Sequence, residues 1–183
     1  MVEAVQADGG ILSLQDLAGY APTVREPLTG SYRGFQIIAA SPPSSGGAHV
    51  IELLNIMEHY DPYWTGHFSP ESLHAWAEAM KLTYADRAMY MGDPEFVDVP
   101  VDRLVSKDYA RERHALIQSG RVLSNPTAGN AWPLESASTS HFSVVDAAGN
   151  MVACTQTINH FFGSGITAPG TGILLNDQMD DFD

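Results

Sequence analysis

The order of patterns along this 183-residue chain, helices first and paired strands after, predicts an α+β fold. Three observations carry that prediction. The stretch 69–91 reads as a long helix, with Ser69 as its cap, Pro70 as its first residue and Gly92 just past its end. From residue 141 the pattern changes period: His141, Ser143 and Val145 fall on one side and Phe142, Val144 and Asp146 on the other, as in a strand. A second strand-like run, Met151-Val-Ala-Cys-Thr-Gln-Thr-Ile-Asn159, follows through Ala148-Gly149-Asn150, as a hairpin would.

Each element has its own reason. Ser13-Leu-Gln-Asp16 offers an N-cap and a short helical turn ending near Gly19. Residues 32–40 read as strands interrupted at Gly34, and Ser41-Pro-Pro-Ser-Ser-Gly-Gly47 as a loop. Apolar positions 50, 51, 53, 54 and 57 make a helix of 48–59, stopped by Asp61-Pro62. In the long helix, Leu73, Trp76, Ala77, Met80, Tyr84, Ala88 and Met91 are expected to form the apolar face. A third helix, 105–117, is capped by Ser106. Residues 118–138, rich in Ser, Gly, Asn and Pro, read as an exposed linker. Strands are expected at 141–147, 151–158 and 173–176, with a loop at 163–172. No internal repeat is present.

Composition narrows the function classes. Nine Lys and Arg against 22 Asp and Glu give a net charge of −13. Such a chain repels phosphate backbones and anionic lipid, so nucleic acid is not expected as a partner. With 44% hydrophobic residues there is material for a sizeable core. The single cysteine, Cys154, excludes an internal disulfide framework and reads as a small buried hydrophobe. The first residues show no signal-peptide pattern, and no apolar run approaches transmembrane length.

Several local patterns invite chemical readings that the residues do not sustain. Ser44-Ser45-Gly46-Gly47 lacks the Lys of a phosphate loop and the spacing of a nucleophile elbow, so it reads as a turn and helix cap. Gly163-Ser164-Gly165 reads as a loop. His74 and Glu78 share a helix face at metal-ligand spacing, yet no third ligand stands at useful spacing, and no metal or other cofactor is expected. Lys81, Asp86 and Arg87 read as ion-pair residues.

Blocks spread over almost the whole chain resemble γ-glutamyltransferase (γ-glutamyltranspeptidase) in the family's order. They are Pro42-Pro-Ser-Ser-Gly-Gly47, Glu78-Ala-Met-Lys-Leu-Thr-Tyr-Ala-Asp-Arg87, Gly92-Asp-Pro94 and Leu104-Val-Ser-Lys-Asp-Tyr109, then Thr139-Ser-His-Phe-Ser-Val-Val-Asp, Thr155-Gln-Thr-Ile-Asn159, Phe162-Gly-Ser-Gly165 and Gly172-Ile-Leu-Leu-Asn-Asp-Gln-Met-Asp-Asp-Phe182. Ser140 stands where the family often has a second Thr. The resemblance implies a four-layer αββα sandwich of the N-terminal-nucleophile hydrolase type, incomplete in this chain. It implies a precursor cut between Ser138 and Thr139, with 1–138 belonging to the large-subunit region and 139–183 to the small-subunit region, the two subunits pairing after cleavage. On that reading the chain is a piece of a longer, exported precursor whose location is periplasmic, extracellular or membrane-anchored.

The chemistry implied is covalent. Thr139 is the expected nucleophile for its own cleavage and, with its freed α-amine as base, for γ-glutamyl transfer from donors such as glutathione to amino acids, peptides or water. Thr157 matches a Thr that holds and polarises the nucleophile, while Asn159, Gln178 and Asp181 match residues gripping the α-amino group of the glutamyl moiety. A carboxylate and two amide oxygens suit an ammonium, which only donates. His141, close to the nucleophile, is expected to shape the pocket. The family's oxyanion donors and α-carboxylate clamp fall outside these residues. Two rival readings stay open, a related acylase acting on cephalosporin side chains or poly-γ-glutamate, and an unprocessed fragment without catalysis.

Overall fold

Helices and strands follow one another as α1 (Val2–Ala7), α2 (Leu14–Gly19), β1 (Leu28–Tyr32), β2 (Phe35–Ala39), α3 (Ser45–Met57), α4 (Pro70–Tyr90), α5 (Val101–Leu104), α6 (Lys107–His114), β3 (Ser140–Val145), β4 (Met151–Gln156), β5 (Thr167–Ala168) and β6 (Ile173–Leu174), before a 3-10 turn at Gln178–Asp181. The predicted α+β class holds. This computed structural model describes residues 1–61, 66, 68–124, 126 and 140–181, of Asp181 the backbone alone. By packing it falls into two units, Val24–Trp132 and Met1–Thr23 with Pro133–Asp183. The expected division between residues 138 and 139 is one of cleavage, a different matter from packing.

In the unit Val24–Trp132, β1 and β2 form an antiparallel hairpin with Leu28 opposite Ala39 and Tyr32 opposite Phe35. Gly34 therefore marks a turn between strands, and the first strand starts before the expected residue 32. Arg33 and Gly34 both take left-handed φ, 51° and 86°, the requirement of a two-residue hairpin turn. Glycine does this at no cost; Arg33 is held there by its N–H donating to Glu58 Oε1 at 2.5 Å and its Nη2 to Tyr60 O at 2.7 Å.

Helix α3 packs on this hairpin and against α4 and α6. It starts at Ser45, three residues before the sequence pattern suggests, with Ser44 as N-cap. The Ser-Ser-Gly-Gly loop is thus cap and first turn, as expected of a structural element. A Cβ on Gly47 would collide with the carbonyl of Ala40, so the close approach of helix and strand demands glycine there. Ile56, Met57, Ala75, Ala79 and Ala110 form a core cluster, with Leu53, Tyr60, Trp76 and Ile117 packed against it.

Helix α4 has the predicted cap, Ser69 Oγ accepting from Ser72 N–H at 3.1 Å, and the predicted Pro at its start. Its buried face is not the predicted one. Ala75, Glu78, Ala79, Leu82, Thr83, Ala85 and Asp86 are buried, whereas Leu73, Met80 and Tyr84 are exposed. Small residues let α3 approach closely, and close packing outweighs the size of the apolar side chains on the other side. The third helix also differs: α5 ends at Leu104, and Ser106 caps a separate α6 by accepting from Tyr109 N–H at 3.2 Å.

The charged residues of the buried face have ionic or polar partners, some within α4 and some beyond it. Asp86, fully buried, takes Arg113 Nε at 2.8 Å and the hydroxyl of Tyr109 at 2.8 Å. Lys81 pairs with Glu78 at 2.7 Å, and Arg87 Nε donates to Ser45 Oγ at 2.9 Å. Glu78 also accepts from Leu123 N–H at 3.0 Å, and Lys81 Nζ donates to Leu123 O at 3.1 Å. The start of the expected linker is therefore fastened to α4. Its remainder, Pro126 excepted, lies outside the described residues.

Glu52 of α3 is fully buried beside Asp86. Burial, a hydrogen bond with Asp86 and the negative charge of Asp86 push its carboxyl up to about 10, with Arg113 pulling the other way. The folded state then holds a proton that the unfolded chain releases above its ordinary value of 4.5. Stability is fully present below about 4.5 and falls as pH rises towards about 10, by up to about 1.4 kcal/mol per pH unit. Glu52→Gln, neutral throughout, is expected to flatten this dependence. Denaturant titrations of both proteins at about pH 5 and about pH 9 check it, and parallel slopes would count against the buried proton.

In the other unit, Ser13 and Asp16 cap α2 reciprocally, Asp16 N–H donating to Ser13 Oγ at 3.2 Å and Ser13 N–H to Asp16 Oδ2 at 2.8 Å. The predicted hairpin is present: β3 and β4 pair antiparallel, Ser140 opposite Gln156 and Val145 opposite Met151. Asp146 organises its turn, Oδ1 accepting from the N–H of Ala148 and of Asn150, both at 2.9 Å. Cys154 lies opposite Phe142 and is half-buried. The expected strand at 173–176 is shorter, β6 pairing with β5 through Thr167–Leu174 and Ala168–Ile173.

Candidate active site

The end of β4 leads into the segment that carries the candidate residues. Thr157 Oγ1 accepts from Asn159 N–H at 2.9 Å, a side-chain turn that bends the chain immediately after the strand. Asn159 is 4% exposed and takes φ 71°, a left-handed conformation Asn tolerates better than most residues. Its Nδ2 reaches Asp177 O at 3.4 Å, and Asp177 N–H donates back to Ile158 O at 3.3 Å. Asp177 Oδ1 accepts from His160 N–H at 3.2 Å and Oδ2 from His160 Nδ1 at 2.7 Å.

Beyond Asp177, Gln178 opens the 3-10 turn, its N–H donating to Asn176 Oδ1 at 3.0 Å, and Asp180 N–H closes back on Asp177 O at 2.9 Å. Ligand-type atoms of His160, Asp177 and Asp180 lie within 4.8 Å of one another. Burial works to raise Asp177, but hydrogen bonds from the His160 N–H and ring, with the charge of that ring, hold its carboxyl below the usual range. The segments around 157–160 and 175–181 are thereby stitched into one anionic rim.

Two further residues keep the rim in shape. Ser164 donates its N–H to Leu175 O at 3.0 Å and its hydroxyl to the same oxygen at 3.1 Å, so the hydroxyl serves the loop. Gly163 takes φ 47°, and a Cβ there would strike Leu175 O. On the hairpin, His141 pairs across the strands, Nδ1 2.7 Å from Thr155 Oγ1 and Nε2 3.2 Å from Ser143 Oγ.

Of the predicted site residues, Thr157, Asn159 and Gln178 thus fall on the stitched segments. Thr139, Ser138 and the side chain of Asp181 lie outside the described residues. His74 and Glu78, 3.9 Å apart, are committed elsewhere: Glu78 to Lys81 and Leu123, and His74 Nε2 lies 3.1 Å from Gln118 O. Sequence reasoning missed the pairing of His160 with Asp177, since nothing local links residues 17 apart.

The sequence model of the gamma-glutamyltranspeptidase family matches residues 1–183. The chain belongs to the γ-glutamyltranspeptidase family. Among relatives of this γ-glutamyltranspeptidase-family chain, the Acylase ACY 1 proenzyme of Pseudomonas sp. (strain SE83) is 48% identical over 183 residues, which is 100% of this chain and 32% of that protein. The Glutathione hydrolase proenzyme of Escherichia coli (strain K12) is 45% identical over 184 residues, again 100% of this chain and 32% of the relative. The cephalosporin acylase of Bacillus halodurans, a crystal structure, aligns with TM-score 0.77 and 30% identity over 97% of this chain and 31% of its own. The chain spans about a third of the length of the curated relatives it matches.

Proposed function

We propose that the protein containing this chain hydrolyses and transfers γ-glutamyl groups of glutathione and related compounds through an ester on Thr139, after the chain is cut between Ser138 and Thr139. One observation carries the reading. Hairpin β3–β4 begins at Ser140, directly after the proposed nucleophile, and ends at Gln156, directly before the stitched segments that hold Thr157, Asn159 and Gln178. Ser140 pairs with Gln156 at the open end of the hairpin, and in the sequence Thr139 precedes the one and Thr157 follows the other. The fold proposed for the intact protein is a four-layer αββα sandwich.

The first reaction is internal. Thr139 Oγ adds to the Ser138 carbonyl, the Ser138–Thr139 C–N bond breaks, and the amine of Thr139 leaves carrying a proton; water then hydrolyses the ester. The freed amine next takes the Oγ proton as Oγ adds to the γ-carbonyl of the donor. The C–N bond to the leaving amine breaks, that amine gains the proton, and the γ-glutamyl ester remains. Water yields glutamate; an amino acid or peptide amine yields a new γ-glutamyl amide. Thr157 Oγ1 accepts from Asn159 N–H, and a hydroxyl is a donor as well as an acceptor. No cofactor is needed for these steps.

An acylase is the second reading, favoured by the Pseudomonas relative and the Bacillus halodurans structure. The two readings differ at the α-amino group. γ-Glutamyl-p-nitroanilide is expected to be cleaved far faster than the glutaryl anilide, which lacks only that amine, and the reverse preference would establish the acylase. Asp181→Ala is expected to weaken the donor by about 2 kcal/mol, roughly thirtyfold, as loss of a charge-assisted hydrogen bond does. An unchanged donor affinity in a binding titration with the uncleaved analogue would remove Asp181 from the ammonium site.

A further inference from the structure

We propose that His160 and Asp177 are positioning residues for recognition of the glutamyl ammonium: Asp177, by gripping His160 at both backbone and ring, fixes Asn159 against the Gln178–Asp181 turn. The inference rests on the reading of Asn159, Gln178 and Asp181 as the ammonium site.

Asn159 N–H donates to Thr157 Oγ1 at 2.9 Å, and the contacts of Asp177 act on either side of Asn159. Its left-handed φ of 71° is available to Asn but not strongly preferred, and its Nδ2 bond to Asp177 O is long at 3.4 Å. The residue after it is held firmly. An ionised Asp177 accepts only, so His160 Nδ1 carries the proton of the 2.7 Å bond. The 3.4 Å approach of Asn159 Nδ2 to that same nitrogen is then a contact without a hydrogen bond. The second carboxylate oxygen takes His160 N–H at 3.2 Å, the peptide nitrogen adjoining Asn159. The Asp177 carboxylate thus sets the exit of the left-handed residue, and the backbone N–H of Asp177, on Ile158 O at 3.3 Å, sets the entrance.

Asp177 immediately precedes Gln178, and its backbone carbonyl accepts Asp180 N–H at 2.9 Å inside the turn. Any movement of Asp177 therefore displaces the proposed Asn159 and Gln178 acceptors relative to one another. The charge works in the same direction, because Asp177 and Asp180 raise the local attraction for a cation.

Steady-state kinetics of the intact protein with γ-glutamyl-p-nitroanilide test this. Asp177→Ala is expected to raise KM about tenfold, with kcat within about twofold and cleavage at Thr139 complete, as loss of oriented acceptors rather than of chemistry predicts. Asp177→Asn, which still accepts from His160 N–H, is expected to recover KM to within about threefold. His160→Ala, which keeps the backbone bond, should fall between them. An unchanged KM in Asp177→Ala overturns the proposal, and so does joint loss of kcat and cleavage, which marks a general structural role. Asn159→Ala, run in parallel, separates the two levels: if it too leaves KM unchanged, the ammonium site itself is wrong and the clamp falls with it. If Asn159→Ala raises KM and Asp177→Ala does not, the clamp alone fails.

Discussion

In the intact protein, Thr139→Ala is expected to give a single uncut chain with no measurable γ-glutamyl turnover. The proposed mechanism uses one oxygen twice, first against the Ser138 carbonyl and then against the donor, so its removal stops both steps. Loss of a covalent nucleophile costs about 10⁴-fold or more in kcat in hydrolases where it has been measured. Here the loss is compounded, because an uncut chain has no α-amine at Thr139 to act as base. Thr139→Ser separates geometry from chemistry. It keeps the hydroxyl and is expected to cleave and turn over, more slowly. Intact mass after incubation at neutral pH reads cleavage, and release of p-nitroaniline reads turnover. Persistent self-cleavage in Thr139→Ala would falsify the nucleophile assignment.

How much of this was legible depends on whether the cause is local. The caps at Ser13, Ser69 and Ser106 are written in the residues that make them, and all three accept the expected backbone N–H. The β3–β4 hairpin was equally plain, since alternation and the Ala148-Gly149-Asn150 turn act within a few residues. The buried face of α4 was not. Apolar periodicity pointed to Leu73, Met80 and Tyr84, whereas Ala75 and Ala79 face α3, and Glu78 and Asp86 go inside because Lys81, Leu123, Tyr109 and Arg113 receive them. Of those partners, Leu123, Tyr109 and Arg113 come from outside the helix. The site follows the same rule. Thr157, Asn159 and Gln178 were named through resemblance of whole blocks, while the His160–Asp177 grip, which needs two loops to meet, had no sequence signal.

Arg113→Met is expected to be the most destabilising single change outside the site, at about 3–5 kcal/mol, the range for removing one partner of a buried pair. Arg113 and Asp86 are 6% and 0% exposed, with Nε on Oδ2 at 2.8 Å. Methionine fills much of the space but leaves the Asp86 carboxylate buried without its cationic partner, and removes the Arg113 Nη2 donation to Leu82 O at 2.9 Å. The cluster as a whole costs desolvation that its attractions only offset. Its contribution therefore differs in sign from that of its parts: Arg113→Met alone should unfold at much lower urea, whereas Glu52→Leu, Asp86→Leu and Arg113→Met together should recover most of the loss. Urea midpoints at constant slope measure both. A triple variant no more stable than Arg113→Met would mean that methionine's poor fit, rather than the orphaned charge, governs the loss.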